Sequence, residues 1–424
     1  MSRAWKQFIV ICSAVLALPG VPMLVAVFCI TPIAALSSDR GAVSIGLFSF
    51  VALMVTLGLG GVTFWHGQRS LQNKPSRLVR LPPAWLMAAV FGLCTVAGIF
   101  IYQNDVATGL FFPPLLIVAA MLPPLLAVSW FAQQQTEGLT WRRGLVAFAG
   151  GATVSVWIAI ALEILLPVIV LALVRDLGSV LTRYGDRLLD ALAGRDIAAA
   201  LTNPTFIYLF VEIAIIAPLA EEFAKPLVTL PLIGKLPRRE AFLVAAMAGA
   251  GFAALENVLY ASFGLYFWAG ILVVRALGSA IHPLGAGLVG LSWRDILNRE
   301  PGAWGRGVAR FGLAAGMHAL WNGGSLIVIT LAGARFAGGG TLPPKVTVLG
   351  YSAAGTTLAF LLVLGLAALW LGRAIVQKSA VPGESTGEPT GEFALSDRAV
   401  AIWALACLAA IVPAGITSLQ LLVR

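Results

Sequence analysis

Charge is what this 424-residue chain has least of: Asp, Glu, Lys and Arg together make up 11% of it, against about 25% in ordinary soluble domains. With 59% hydrophobic residues, that shortage excludes a water-soluble globular protein. Sustained apolar–polar alternation over about ten positions is also missing, which excludes an outer-membrane barrel. The four cysteines, Cys12, Cys29, Cys94 and Cys407, all fall inside apolar stretches and form no CxxC pair, so neither a disulfide framework nor a zinc–thiolate site is expected. No internal repeat is visible, which counts against the inverted-repeat build of secondary transporters.

Long apolar runs are what the chain has in abundance. Runs of about 20 residues, each long enough as a helix to cross a hydrocarbon core of roughly 30 Å, are expected near 8–36, 42–65, 84–102, 111–131, 144–173, 204–233, 241–261, 265–291, 311–332, 348–372 and 399–420. The fold class is therefore an all-α polytopic membrane protein of roughly nine to eleven transmembrane helices, with the pairs Pro113–Pro114 and Pro123–Pro124 and the prolines 19, 22 and 32 marking kinks that alter the count. The N-terminal apolar run exceeds the 7–15 residues of a signal-peptide core and is expected to stay as the first span.

With the N-terminus inside, the inner loops hold most of the 28 Lys and Arg residues, as the positive-inside rule requires. The net charge of +9 is thus spread over loops that face lipid headgroups, and points to the bilayer as partner rather than to nucleic acid.

The chain changes character near residue 204. Residues 1–203 form an N-terminal membrane region whose spans carry almost no charge, Glu163 excepted. Within it, 174–203 read as an amphipathic outside segment lying along the membrane surface. Residues 204–332 hold the polar side chains, and 333–424 form a C-terminal membrane region with a linker at 379–396, rich in Gly, Pro, Ser, Thr and Glu.

An ionisable side chain at a helix centre costs roughly 2.5–3.5 kcal/mol to insert, so several are tolerable only where they converge around water. Four helices carry them here. In APLAEEFAKPL, Lys225 can reach Glu221 at i,i+4 and Glu222 at i,i+3. In GFAALENVLY, Glu256 and Asn257 follow the small-residue row Ala245, Gly249, Ala253, which allows close helix approach. His282 projects from a second such row, Gly278, Ala286 and Gly290, with Arg275 seven residues before it and expected to pair with a carboxylate. His318 and Asn322 share one helical face, the shape of an oxyanion pocket. Carboxylates, imidazoles and an amide around water are the ingredients of hydrolysis.

At these residues the chain resembles the PrsW family of bacterial intramembrane proteases, relatives of the CAAX-processing type II endopeptidases in the abortive-infection superfamily. Glu221-Glu222-x-x-Lys225 is similar to the family's EExxK motif, GFAALENVLY to its second motif, His282 to a third-motif histidine, and His318-x-x-x-Asn322 to the last. The CAAX-type relatives carry FxxxH where this chain has Phe252-x-x-x-Glu256, which argues against a prenylated C-terminal substrate. The resemblance implies cleavage of a membrane protein or peptide substrate in the plasma membrane, in some members of an anti-sigma factor.

Two schemes follow from it. In the metal-free one, Glu221, helped by Glu222 or Glu256 and by His282, activates water while His318 and Asn322 stabilise the oxyanion. In the other, Glu256, His282 and His318 bind a divalent metal such as zinc and Glu221 or Glu222 acts as base. Lys225, Asn257 and Arg275 are supporting residues in both. An ion-coupled transporter and a non-catalytic membrane scaffold are the rival classes.

Overall fold

The computed structural model describes scattered residues up to 25 and most of 49–379, with its longest interior gaps at 133–138 and 337–343. The linker 379–396 beyond its first residue, the last expected span at 399–420 and the greater part of the first lie outside the described residues.

Among those residues all regular structure is helical. Six helical stretches are long and apolar enough to cross a membrane: Ala84–Ile101, Phe111–Ala132, Trp141–Ile169, Arg238–Ser262, Trp268–Leu297 and Gly355–Lys378. The helices used below are α1 (Ala84–Ile101), α2 (Asp105–Ala132), α3 (Trp141–Gly150), α4 (Val156–Leu173), α5 (Leu177–Gly194), α6 (Pro204–Val211), α7 (Ala217–Ala224), α8 (Arg238–Phe263), α9 (Trp268–Gly278), α10 (Ile281–Leu297), α11 (Ala303–Phe336) and α12 (Pro344–Lys378).

The segment 204–233, expected as one span, is instead broken. A wide turn, Glu212–Ile216, joins α6 to α7, and short turns follow Lys225. Prolines 218 and 226 are the cause, since each withholds a backbone N–H and crowds the preceding turn. The 174–203 segment contains α5, whose charged and apolar residues alternate at helical spacing. Asn203 and Thr205 tie it to α6 by donating to the carbonyls of Tyr184 and Leu181.

Helix α8 is the axis of the fold. The small-residue row expected on it meets the one on α10: Gly249 lies against the His282 carbonyl and Ala286, and Gly290 against Ala245. On the other side a side chain at Gly251 would come within 1.9 Å of the Phe148 carbonyl on α3, so only glycine permits that crossing. Phe131 of α2 and Phe242 of α8, both fully buried, pack with ring centroids 5.9 Å apart.

At the end where α8 and α11 begin and α10 finishes, Asp295 is fully buried and accepts from Arg238 at 2.8 Å, Arg310 at 2.9 Å and Arg294 at 3.2 Å. Charge-assisted bonds of this kind are the strong ones, and they join three helices that the chain separates by up to 72 residues.

Candidate functional site

Helices α7, α8, α10 and α11 bring the motif side chains together. Lys225, Glu222 and His318 are fully buried, and Glu221 and His282 nearly so. The Lys225 ammonium sits 2.6 Å from Glu222 Oε1 and 2.9 Å from Glu221 Oε2, as the i,i+3 and i,i+4 spacing predicts. It also lies over the Phe252 ring, 4.6 Å from its centroid, and the same ring stacks on His282. Glu222 fits only because position 285 on α10 is glycine: a Cβ there would fall 2.1 Å from its Oε2.

Each histidine is backed by a carboxylate on one nitrogen and turns the other toward the centre. His318 Nδ1 lies 3.0 Å from Glu222 Oε1, closer than its 3.4 Å contact with Lys225. That partner assigns the proton to Nδ1 and leaves Nε2 as a lone pair. His282 Nε2 lies 3.4 Å from Glu256 Oε2, an ion-pair contact without a hydrogen bond, and its Nδ1 faces the centre with no partner. The free nitrogens approach Glu221 Oε2, at 3.8 Å from His318 and 3.9 Å from His282. All three of these inward atoms are buried and make no hydrogen bond, although Glu221 Oε2 is within ion-pairing reach of Lys225. A buried polar atom without a partner is costly, so two such imidazole nitrogens facing one carboxylate oxygen mark a place for water or an ion.

Glu256 is held by Arg275 of α9 at 2.9 Å, the pairing expected for that arginine. Arg275 also donates through Nε to Asn257 Oδ1. Asn257 in turn donates to the Ala120 carbonyl of α2 at 3.0 Å. In an α-helix that carbonyl would bond to the N–H of residue 124, but residue 124 is proline. The asparagine amide supplies the missing donor, and the resulting chain runs from a proline kink through Asn257 and Arg275 to Glu256 and His282.

Asn322 makes the corresponding bond on the opposite side, donating to the Ile213 carbonyl at 3.1 Å. The wide turn at 212–216 carries i→i+5 bonding, with the Ala217 N–H on the Glu212 carbonyl. The next such donor would be Pro218, which has no N–H. One amide proton of Asn322 is thus committed to the backbone and one remains.

Two contributors, Ser155 and Gly285, had no signal in the sequence, whereas Glu163 stood out as the lone charge of its span. Ser155, fully buried in the turn Gly151–Ser155, donates to the Lys225 carbonyl at 3.0 Å, an oxygen freed where α7 ends. Gly285 looks like any packing glycine until Glu222 is placed beside it. Glu163 of α4, half-buried, lies within electrostatic reach of Glu256, Lys225 and Glu212, on the same side as the cluster.

Among the described residues, Glu221, His282 and His318 are the group whose ligand atoms all lie within 4.8 Å of one another. One carboxylate oxygen and two imidazole nitrogens, the nitrogens unpartnered, are a donor set suited to a zinc-like ion. A carboxylate behind each metal-facing histidine is the usual support for such a site.

Residues 140–348 match the family model described as PrsW family intramembrane metalloprotease. The match begins ahead of the four motifs and takes in α3 and α4, the helices that supply Phe148 and Glu163, together with Ser155 between them. No curated protein and no solved structure matches the chain.

Proposed function

The chain belongs to the PrsW family of intramembrane metalloproteases, and on that premise we propose that it hydrolyses peptide bonds of membrane-embedded substrates at a centre formed by Glu221, His282 and His318. The observation that carries the reading is the convergence of three buried atoms from three helices, the unpartnered His282 Nδ1 and His318 Nε2 and the Glu221 Oε2 that Lys225 holds between them. A structural ion pair of Lys225 with its two acids accounts for neither histidine nitrogen.

In the metal-free reading Glu221 takes a proton from the attacking water and returns it to the leaving amine. His282, oriented by Glu256, shares in positioning that water. Glu222 and Lys225 fix the ring of His318. The oxyanion forms on the α11 face, where Asn322 keeps one N–H to donate.

The donor set and the family description favour a second reading, in which Glu221, His282 and His318 hold a divalent metal such as zinc. Such an ion would polarise the scissile carbonyl and lower the pKa of bound water. Glu256 was an expected ligand beside the two histidines. Its pairing with Arg275 suits it instead to stand behind His282 and orient that ring. Residues 204–332 are the part we assign to the chemistry, set between the membrane regions 1–203 and 333–424, in a bacterial plasma membrane with the N-terminus cytoplasmic. An anti-sigma factor is the family's suggestion for the substrate.

The test is cleavage of single-span membrane proteins, reconstituted with the purified chain in lipid, by wild type and by Glu221→Gln and His318→Ala. Both variants should lose activity at least a hundredfold, and unchanged cleavage in both would reject this centre. Metal content by mass spectrometry, followed by chelation and add-back, separates the two readings. A stoichiometric ion that is absent from His282→Ala supports the second.

A further inference from the structure

Beside the catalytic cluster lies a second feature that shares two residues with it. A cavity of about 390 Å³ opens between α9, α11 and α12, walled by Ile271, Val274, Leu326 and Leu358. Its polar lining is confined to few groups: Arg275, Asn322 and Ser325, with Tyr260 beside them. Two of these belong equally to the catalytic cluster. Arg275 holds Glu256, and Asn322 lies one turn beyond His318 on α11.

A lipid chain would fill the apolar walls but leave the polar end unanswered. The Ser325 hydroxyl is buried and has no hydrogen-bond partner. An unwound stretch of a transmembrane substrate has the complementary needs, because its released N–H and C=O groups must find partners away from water while its apolar side chains seek apolar walls. The volume is within the roughly 300–1,000 Å³ of ordinary ligand pockets, ample for more than one aliphatic or aromatic side chain.

We infer that this cavity is the specificity pocket, receiving large apolar side chains of the unwound substrate segment next to the scissile bond, with Ser325 bonding that segment's backbone. This rests on the proteolytic reading of the adjoining site, and its test is arranged so that the two fail separately.

Gly270 lines the cavity, and a Cβ built there meets no atom within 4 Å. Gly270→Phe therefore fills the pocket without a clash at the backbone, and it adds helix propensity. The measurement uses full-length Glu221→Gln protein in lipid nanodiscs and an end-capped twelve-residue peptide carrying one photoreactive leucine among alanines. Cross-links are mapped by mass spectrometry. Labelling should fall on Ile271, Val274 and Leu326, be competed by the same peptide with ordinary leucine and not by the all-alanine version, and drop at least tenfold in Gly270→Phe while Gly270→Ala stays within twofold. Labelling spread over lipid-facing residues such as Leu166 and Trp370, labelling indifferent to Gly270→Phe, or no labelling would each overturn the proposal, the last being the result if lipid holds the cavity. Incubating the leucine peptide with wild type supplies the separate arm: pocket labelling without cleavage keeps the pocket and counts against the proteolytic centre.

Discussion

If Asn257 is present to replace the N–H that Pro124 withholds from the Ala120 carbonyl, the two residues must be energetically coupled. Asn257→Leu strands a buried carbonyl, at about 1–3 kcal/mol, and removes a bond to the Arg275 guanidinium worth roughly 1.5–3 kcal/mol. The total, about 2.5–6 kcal/mol, is a large part of an ordinary stability margin. Pro124→Ala returns an N–H to the helix ladder and answers the stranded carbonyl, leaving the guanidinium term untouched. The double variant should therefore recover about 1–2 kcal/mol beyond the sum of the single effects. Pro123→Ala is the control, because its missing N–H belongs to Ala119, which Asn257 does not contact. Reversible unfolding in lipid bicelles, followed by steric trapping, measures all four corners of the cycle. Coupling below about 0.5 kcal/mol, or equal coupling to Pro123→Ala, would refute the reasoning.

Other perturbations test the centre itself. Gly285→Ala drives a methyl group into the Glu222 carboxylate, so cleavage should fall more than tenfold while the far-ultraviolet helical signal is retained. Lys225→Met leaves two buried carboxylates without their cation and should cost about 3–5 kcal/mol, part of which Glu222→Gln in the same chain restores; thermal unfolding of the single and double variants reads the difference. Asn322→Asp keeps an oxygen but gives up the amide donor, so kcat should drop with KM little changed in assays on reconstituted protein. Ser155→Ala frees the Lys225 carbonyl, and a loss of roughly 1–3 kcal/mol in the same unfolding assay is expected.

The side chains of the centre were legible in the sequence because membrane insertion makes each of them expensive. Glu221, Lys225, His282 and His318 stand out against apolar neighbours, and the helical spacing of Lys225 from its two acids fixed their contacts before any coordinates. The facing rows of small residues on α8 and α10 were equally readable, since close approach demands them. What the sequence did not disclose depends on contacts between distant segments. Asn257 read as a supporting residue and Asn322 as an oxyanion donor, and nothing in the sequence showed that each also answers a carbonyl orphaned by a proline on another helix. The break in 204–233 was masked by its unbroken hydrophobicity, which registers length and not backbone hydrogen bonding. Ser155 and Gly285 are ordinary membrane residues until Lys225 and Glu222 are placed next to them.

Asp295 fastens the starts of α8 and α11 to the finish of α10, whereas the cavity borders Tyr260 and Ser325, about 33 Å and 22 Å further along those helices at 1.5 Å per residue. Levers pinned at one tip swing widest at the other. A substrate helix seeking entry would meet least resistance far from the arginine rivet, where α9 and α11 can part without unmaking a single one of its bonds.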